Sequence, residues 1–554
     1  MPEIVWGDVP TWLTSLGSLG ALIFAVMAVL STRKTFQLES TRDQAIGEAK
    51  LEQDAFTRRA QAALVSTWWG QSHEARVSSG NPDSGWGAYL RNASEAPIYK
   101  AQMTVTHTNL NHGRAAIRRA VVPPGPSSTF IPIQMPVHVA NGSHHDHFAD
   151  YRVSLRFTDA GGLRWIRDEY GALKQLESAL VIWTSPETAE VLAPFTAEFL
   201  ATYGVSASFD NSLIESRLEA RFLKASDDPN GEGCPDILVG THDWLGNLLK
   251  HEAIEPIVLT DGYHAEFPDS KWALDALSLD GKTYGVPSSL DTVALIRNLD
   301  LAPDLPDTFE QLLVTGRALR DAGQVQEILS VPVGASGDPF LAWPLISSAG
   351  GWLFGQRGDG SWDSSILGVN TPETIAAFEK IRTLGELGIL RPEVGGAQAV
   401  DDFLTGRSAF LLATSGVVSL ATDAGIRFAV SQVPPFENGK VPQSFVAVYA
   451  FFVARNGRNR LIASDLAPDY LSRPEVVEQF GKSLHVVPRE ITPTMDPAIA
   501  TFHALCCQGV AMPSFAQMRG VWDLLGAAEV KLIHGEESAP VANQLAEDIS
   551  TLFA

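Results

Sequence analysis

Cysteine and basic residues are both scarce in this chain. Its 554 residues include three cysteines, too few for a fold held together by disulfide bonds. It has 41 Lys and Arg against 64 Asp and Glu, for a formal net charge of −23, which argues against a nucleic-acid partner. Hydrophobic residues make up 45% and charged residues 19% of the chain, which excludes a disordered chain and a coiled-coil rod.

The short motifs of common catalytic and cofactor sites are also absent. The sequence has no G-x-x-x-x-G-K-[ST] phosphate loop, no G-x-G-x-x-G after a strand and no G-x-S-x-G nucleophile elbow. A histidine-rich stretch at 144–147 has no matching Cys or His pair at metal-ligand spacing elsewhere, so we interpret it as a polar loop. We therefore expect no enzyme activity, no cofactor and no metal.

One long stretch of the chain lacks charge. No charged residue lies between Asp8 and Arg33, and residues 12–30 read WLTSLGSLGALIFAVMAVL. As a helix this run would be about 29 Å long, enough to cross the hydrocarbon core of a bilayer. A signal peptide would begin with basic residues, and this segment has none before the apolar run. Residues 9–32 are therefore predicted to form an uncleaved transmembrane helix that anchors the chain in the cell membrane.

Basic residues flank this helix on one side only. Arg33, Lys34 and Arg42 follow it, and none precedes it, so the positive-inside rule predicts an outside N-terminus and a cytoplasmic soluble part. Residues 33–64 contain no proline and are rich in Gln, Glu, Ala and Arg, which predicts a polar helical stalk.

The balance of charge changes near residue 178. Residues 1–178 have a net charge of +1, whereas residues 179–554 have a net charge of −24, which indicates two units. Within 65–178, short strand-like runs alternate with turn residues, as in the segment from Phe157 to Trp165 around a turn at 159–162. This segment is predicted to be a small all-β, sandwich-like domain without a catalytic site.

The remaining residues, 179–554, alternate apolar runs with amphipathic helical patterns. A short buried strand at 179–183 precedes a helical pattern at 186–203, and another strand–helix–strand order follows. This order predicts an α/β fold with a largely parallel sheet.

Seven segments of this unit carry a specific resemblance to one protein family. They are LVIW at 180–183, GCPDIL at 233–238 with THDWLG at 241–246, DGKTYGVP at 280–287, LIRNLDL at 295–301, DPFLAWPLI at 338–346, GGWLF at 350–354, and MPSFAQM at 512–518 with Trp522. In this order and at this spacing they resemble bacterial periplasmic solute-binding proteins of the maltose/maltodextrin-binding type. The resemblance covers essentially all of residues 179–554.

The resemblance implies a two-lobed fold of the periplasmic-binding-protein type II class, preceded by the anchor, the stalk and the β-domain. Members of this family hold a ligand between two α/β lobes and close around it by a hinge motion. The expected first lobe takes residues 179–290 and 447–495. The expected second lobe takes residues 294–444 and 500–554.

The resemblance also implies the site residues. A sugar offers hydroxyls at its ring edge and apolar C–H groups on its faces, so its cleft needs carboxylates and aromatic rings. The predicted ligand-binding residues that match family positions are Asp243, Asp291, Asp338, Phe340 and Trp522. Trp244 stands where the family has an arginine, and we include it as a candidate aromatic platform.

Three glycines mark departures from the family pattern. Gly240 and Gly416 replace aromatic residues, and Gly526 replaces an arginine. The cleft is therefore expected to have lost much of its stacking surface and its cations. We expect a sugar smaller than, or differently shaped from, a maltodextrin.

Two functions are compatible with these observations. The resemblance implies a carbohydrate receptor that works with the membrane subunits of an ABC-type importer. The alternative is a membrane-tethered sensor or adaptor that uses a degenerate solute-binding fold. The two lines of evidence on location differ, because the family implies an extracytoplasmic soluble part and the flanking charges imply a cytoplasmic one.

Overall fold

The computed structural model describes most of the chain from residue 59 onward. The described residues are 59–74, 85–107, 114–133, 151–176, 179–201, 205–211, 215–228, 233–259, 271–358, 360–471, 473, 476, 478, 487–488 and 495–554. The predicted transmembrane helix at 9–32 and most of the predicted stalk at 33–64 lie outside them. Within the described ranges no helix is both long enough and apolar enough to cross a membrane.

These residues form two compact units, and the first contains the strands between Val65 and Gln175. Its strands are β1 (Val65–Gln71), β2 (Trp86–Asn92), β3 (Ile98–His107), β4 (Arg114–Val122), β5 (Thr129–Pro132), β6 (Tyr151–Thr158), β7 (Arg164–Arg167) and β8 (Leu173–Gln175). They make one sheet of order β1-β2-β5 and another of order β4-β3-β6-β7-β8.

The turn between β6 and β7 shows how the sequence determines this unit locally. The Asp159 carboxylate accepts hydrogen bonds from the Leu163 backbone N–H at 2.9 Å and from the Trp165 indole N–H at 2.7 Å. An aspartate that bonds its own turn in this way favours a tight reversal of the chain. The predicted pair of strands around 159–162 is confirmed.

The second unit, mainly Leu176–Ala554, is built on one large mixed sheet. The strands of this sheet are β9 (Ala179–Trp183), β10 (Ser206–Asp210), β11 (Ile237–Thr241), β14 (Gly285–Thr292), β20 (Phe445–Val453), β21 (Val487–Pro488) and β22 (Val510–Ala511). The order is β10-β9-β11-β20-β14-β21, with β22 also paired to β20. The first three strands are parallel, but β20 runs antiparallel to β11 and β14, and β21 runs antiparallel to β14. The prediction of a largely parallel sheet is therefore wrong, because β20, which returns from the second lobe, enters the sheet in the opposite direction.

Smaller strands and the helices complete this unit. The strands are β12 (Ser278–Leu279), β13 (Lys282–Thr283), β15 (Ala294–Asn298), β16 (Phe354–Gln356), β17 (Trp362–Leu367), β18 (Phe410–Ala413) and β19 (Phe428–Ser431). The helices are α1 (Pro186–Ala201), α2 (Glu215–Ser226), α3 (Leu245–Lys250), α4 (Lys271–Asp275), α5 (Phe309–Asp321), α6 (Pro339–Ser348), α7 (Pro372–Glu386), α8 (Gly396–Leu404), α9 (Val417–Asp423), α10 (Arg460–Leu466), α11 (Pro497–Gln508), α12 (Met518–Ile533) and α13 (Ser538–Phe553). β18, β15 and β19 form the second lobe's sheet.

A buried aspartate ties the large sheet to its covering helix. The Asp236 carboxylate accepts from the Val181 N–H at 2.8 Å and from the Asn459 N–H at 2.5 Å. The Asn459 side chain in turn donates to the Ala179 carbonyl at 2.7 Å. Because Asn459 precedes α10, these bonds fix the start of that helix against β9.

The chain passes between the two lobes at three places. β14 belongs to the large sheet and β15 to the second, so the first crossing lies between Thr292 and Ala294. The second lies between Ser431, where β19 ends, and Phe445, where β20 begins. The lobe bounds implied by the resemblance put the last crossing between residues 495 and 500, but β22 still pairs with β20, so the chain leaves the large sheet only after Ala511.

Asp291 lies directly before the first crossing. Its carboxylate accepts from the backbone N–H of Thr292 at 2.9 Å and of Ser415 at 3.0 Å, and Ser415 follows β18 of the second lobe. Burial raises the pKa of the Asp291 carboxyl to about 6, and these hydrogen bonds only partly oppose the effect. The hinge therefore contains a carboxylate whose ionisation opposes folding.

This hinge carboxylate leads to a prediction about stability and pH. Below the ordinary aspartate pKa of 3.8, Asp291 is protonated in both states, whereas above about pH 6 the native state carries a buried charge. A shift of two pKa units corresponds to about 3 kcal/mol. We expect Asp291→Asn, which keeps an oxygen acceptor, to raise the free energy of unfolding in urea near neutral pH. The gain should shrink as the pH falls towards 4.

Asp300→Asn is the matched control for this prediction. Asp300 is exposed and pairs with Arg427 at 2.7 Å, and such a surface pair contributes about 1 kcal/mol or less. If Asp291→Asn instead destabilised the protein equally at neutral and acidic pH, the carboxylate would be a required acceptor and the predicted penalty would be wrong.

Candidate functional site

Two adjoining cavities lie where the two lobes face each other. The larger has a volume of about 1240 Å³ and the smaller about 740 Å³. Both are lined by the loop residues Ser336, Gly337 and Asp338, so this loop separates two compartments of one cleft. The smaller cavity contains four of the predicted ligand-binding residues, namely Asp243, Asp338, Phe340 and Trp522.

A fully buried histidine fixes the position of Asp243. His242 begins a single 3₁₀ turn (His242–Trp244) at the carboxyl end of β11. Its Nδ1 accepts from the Val448 N–H at 3.1 Å, so its Nε2 carries the proton and donates to the Met512 carbonyl at 3.0 Å. Burial lowers the pKa of His242 and keeps the ring neutral. These two bonds hold the turn, and with it the Asp243 carboxylate, at the floor of the smaller cavity.

The Asp243 carboxylate is only partly satisfied. Its Oδ2 accepts from the indole N–H of Trp522 at 3.1 Å. Its Oδ1 is buried and has no hydrogen bond donor among the described residues. A buried acceptor without a donor is costly, so this oxygen is suited to a donor that arrives with a ligand.

The proposed platform at Trp244 is not in the cleft. The Trp244 side chain is buried and belongs to the hydrophobic cluster that contains Leu238 and Leu245. Its ring lies over Gly240, where an added Cβ would meet ring carbons at 2.1 Å. Because Gly240 has no side chain, it leaves room for the Trp244 ring, so the departures from the family pattern at positions 240 and 244 depend on each other. Trp244 is therefore not part of the candidate site.

Asp338 is held by α6 and by contact with α12. Its Oδ1 caps α6 by accepting from the Leu341 N–H at 3.1 Å, and its own N–H donates to Glu529 Oε2 at 2.9 Å. Gly337 has a φ of +76° and lies so close to Gly526 that an added Cβ would meet the Gly526 carbonyl oxygen at 2.4 Å. The glycine at 526, unlike the family's arginine, allows this close backbone approach.

Burial changes the ionisation of both acids in this pair. It raises the pKa of Glu529 to about 8, with the neighbouring Asp338 charge adding to the effect, and it also raises the pKa of Asp338. Glu529 is therefore protonated near neutral pH. Asp338 lines both cavities and is the acidic group of the pair that a ligand can reach.

Trp522 brings α12 into the smaller cavity. The side chain is partly buried, and its ring packs edge-to-face on Phe445 with a centroid distance of 5.5 Å. Phe340, at the start of α6, lines the same cavity. The two aromatic positions carried over from the family pattern therefore lie together with Asp243 and Asp338. Ligand contact by these four residues stays a prediction.

The structure adds cavity residues that sequence reasoning missed. Tyr449, Met512 and Asp523 line the smaller cavity, whereas Asp291 lines neither cavity and lies at the hinge instead. Tyr449 falls on β20, two residues after the lobe boundary expected between 444 and 447, and Asp523 is next to Trp522, so both are near recognised segments. Glu529 has no local signal, because only its contact with the loop before α6 gives it a role.

This chain is similar in sequence to several named proteins. It is 24% identical over 328 residues to a galactooligosaccharide-binding protein of Bacillus subtilis, covering 58% of this chain and 75% of that protein. It is 25% identical over 305 residues to a maltotriose-binding protein of Pyrococcus abyssi, covering 53% and 64%. It is 23% identical over 340 residues to a maltooligosaccharide ABC transporter solute-binding lipoprotein of Streptococcus pneumoniae, covering 60% and 78%.

The family match agrees with these relatives and with the two-lobed fold. Residues 192–500, more than half of the chain, match the family described as bacterial extracellular solute-binding protein. The chain therefore belongs to the bacterial extracellular solute-binding protein family.

Proposed function

We propose that this protein binds a carbohydrate in the cleft between its lobes and delivers it to an ABC-type importer. Proteins of the family bind solutes and are not enzymes. The three relatives above are named for binding oligosaccharides, and one of them is named as part of an ABC transporter. Hinge closure around the sugar would present a closed receptor to the importer's membrane subunits.

The observation that carries this proposal is the composition of the smaller cavity. Asp243 and Asp338 offer acceptors for sugar hydroxyls, and Phe340 and Trp522 offer apolar ring surface to sugar C–H faces. The buried Asp243 Oδ1 without a donor is the strongest single feature, because a ligand hydroxyl would satisfy it.

The membrane anchor is a second part of the proposal. Residues 9–32 would tether the receptor to the cell membrane, with residues 179–554 on the extracytoplasmic side. The family description as extracellular supports this side. The flanking Arg33, Lys34 and Arg42 oppose it, but long domains cross the membrane largely regardless of charge.

Trp522 and Trp343 provide a paired test of the binding site. Both rings contact Phe445, but Trp522 lines the cavity whereas Trp343 is 6% exposed and stacks in the core at a centroid distance of 4.4 Å. A sugar ring on Trp522 would cover about 100 Å² of apolar surface, or roughly 2.5 kcal/mol. Trp522→Ala should therefore weaken sugar binding roughly 50-fold with little loss of stability in the unliganded protein.

Trp343→Ala is the matched control and should behave in the opposite way. Truncation of a core tryptophan costs about 3–5 kcal/mol of stability. A panel of mono- to tetrasaccharides, scanned by thermal shift, identifies the sugar, and calorimetric titration then gives the affinities. Loss of stability in Trp522→Ala, with unchanged affinity, would show that Trp522 is a packing residue and would remove it from the site.

The proposed side of the membrane predicts the outcome of protease treatment. Protease added to intact cells, with any outer membrane or wall made permeable, should digest residues 179–554. A cytoplasmic marker protein in the same cells should stay intact and serves as the control. Protection of the receptor in these cells, with digestion only after the cytoplasmic membrane is lysed, would place the soluble part in the cytoplasm.

A further inference from the structure

The charges that line the cleft are all of one sign. Four acidic residues line the two cavities: Glu190, Asp243, Asp338 and Asp523. Among the described residues that line them, none is Lys, Arg or His. Arg519, one turn before Asp523 on α12, lies 3.7 Å from the Asp523 carboxylate but outside the lining. A ligand in this cleft therefore meets carboxylates that are not balanced by cations of the lining.

Asp243 and Asp338 are the least compensated of these acids. The Asp243 side chain is 9% exposed, its Oδ2 is bonded to a neutral indole N–H, and its buried Oδ1 has no donor among the described residues. The Asp338 Oδ1 is bonded to a neutral backbone N–H, and burial raises the pKa of its carboxyl. Neither side chain is therefore paired with a cation among the described residues, and both line the smaller cavity.

Three aromatic rings surround the same space. Phe340, Tyr449 and Trp522 line the smaller cavity together with the two aspartates. The face of an aromatic ring carries partial negative charge and attracts a cation. Carboxylates and aromatic rings that line one partly desolvated cavity favour an ammonium group and disfavour a carboxylate or a phosphate.

We infer that the ligand is an amino sugar, or an oligosaccharide that contains one, with its protonated amine in the smaller cavity between Asp243, Asp338 and the aromatic rings. This inference rests on the proposed function, because it concerns the same cleft and names the class of sugar. The ammonium donates up to three hydrogen bonds, and one of them satisfies the Asp243 Oδ1. The larger cavity, of about 1240 Å³, holds the remaining sugar rings.

The test compares sugars that differ only in the exchange of hydroxyls for amines, one in each ring. The pairs are glucose with glucosamine, galactose with galactosamine, and cellotriose with fully deacetylated chitotriose. Titration calorimetry at about pH 6, below the ordinary pKa of such amines, keeps them protonated. In at least one pair the amine should bind about tenfold more tightly or better, and added salt should reduce this preference.

The variant Asp338→Asn tests whether the ammonium group of the ligand lies beside the Asp338 carboxylate. Asparagine caps a helix as well as aspartate does, so α6 should keep its cap while the charge is lost. The variant should lose most of the preference for the amine, so the ratio of the amine's affinity to that of the matched neutral sugar should fall towards one. Asp243→Asn should have the same effect, and Asp300→Asn, which removes an exposed carboxylate outside the cleft, should have none.

The possible outcomes separate this inference from the proposed function. If the neutral member of every pair binds as tightly as the amine, and its binding depends on Trp522, the cleft is a sugar site and the inference of a cationic ligand is wrong. If the amine is preferred but both Asn variants keep that preference, the ammonium does not lie between Asp243 and Asp338. If no sugar of the thermal-shift panel or of the pairs binds, both the function and the inference fail.

Discussion

The cleft depends on the two hydrogen bonds of one buried imidazole. His242 joins the end of β11 to the hinge strand β20 through Val448, and to the segment before α12 through Met512. The cavity residues are neighbours of these three points: Asp243 follows His242, Tyr449 follows Val448, and Met512 itself lines the space. A neutral ring that donates from one nitrogen and accepts at the other therefore sets the relative positions of three chain segments far apart in sequence.

The parts of the fold and site that the sequence predicted are those encoded in local motifs. The strand at 179–183, the turn after β6 and the passage from β14 to β15 each depend on a short run of residues, and each is where the sequence indicates. Asp243, Asp338, Phe340 and Trp522 were carried over within recognised segments, and the structure brings their side chains to one cavity. In these cases the local sequence, read together with a known fold, is enough to place the residues.

The parts that the sequence did not predict depend on contacts between distant segments. Trp244 was a candidate platform because it stands where the family has an arginine, but its ring packs over Gly240 in the core. Asp291 was a candidate ligand acceptor, yet its carboxylate bonds the Ser415 backbone across the hinge. Glu529 was not a candidate at all, because only the loop before α6, nearly 200 residues earlier, gives it a partner. Such pairings have no signature in one sequence read without its fold.

The close approach of Gly337 and Gly526 has an evolutionary consequence. An added Cβ at Gly526 would meet the Ser336 carbonyl oxygen at 2.4 Å, so a larger residue there displaces the loop that carries Asp338. A single substitution therefore cannot restore a cation at this position without moving the acid beside it. Backbone packing at Gly526 thus keeps a basic side chain out of the cleft. A descendant protein that came to bind an anionic ligand would need a different loop at 336–338 before a basic residue could replace Gly526.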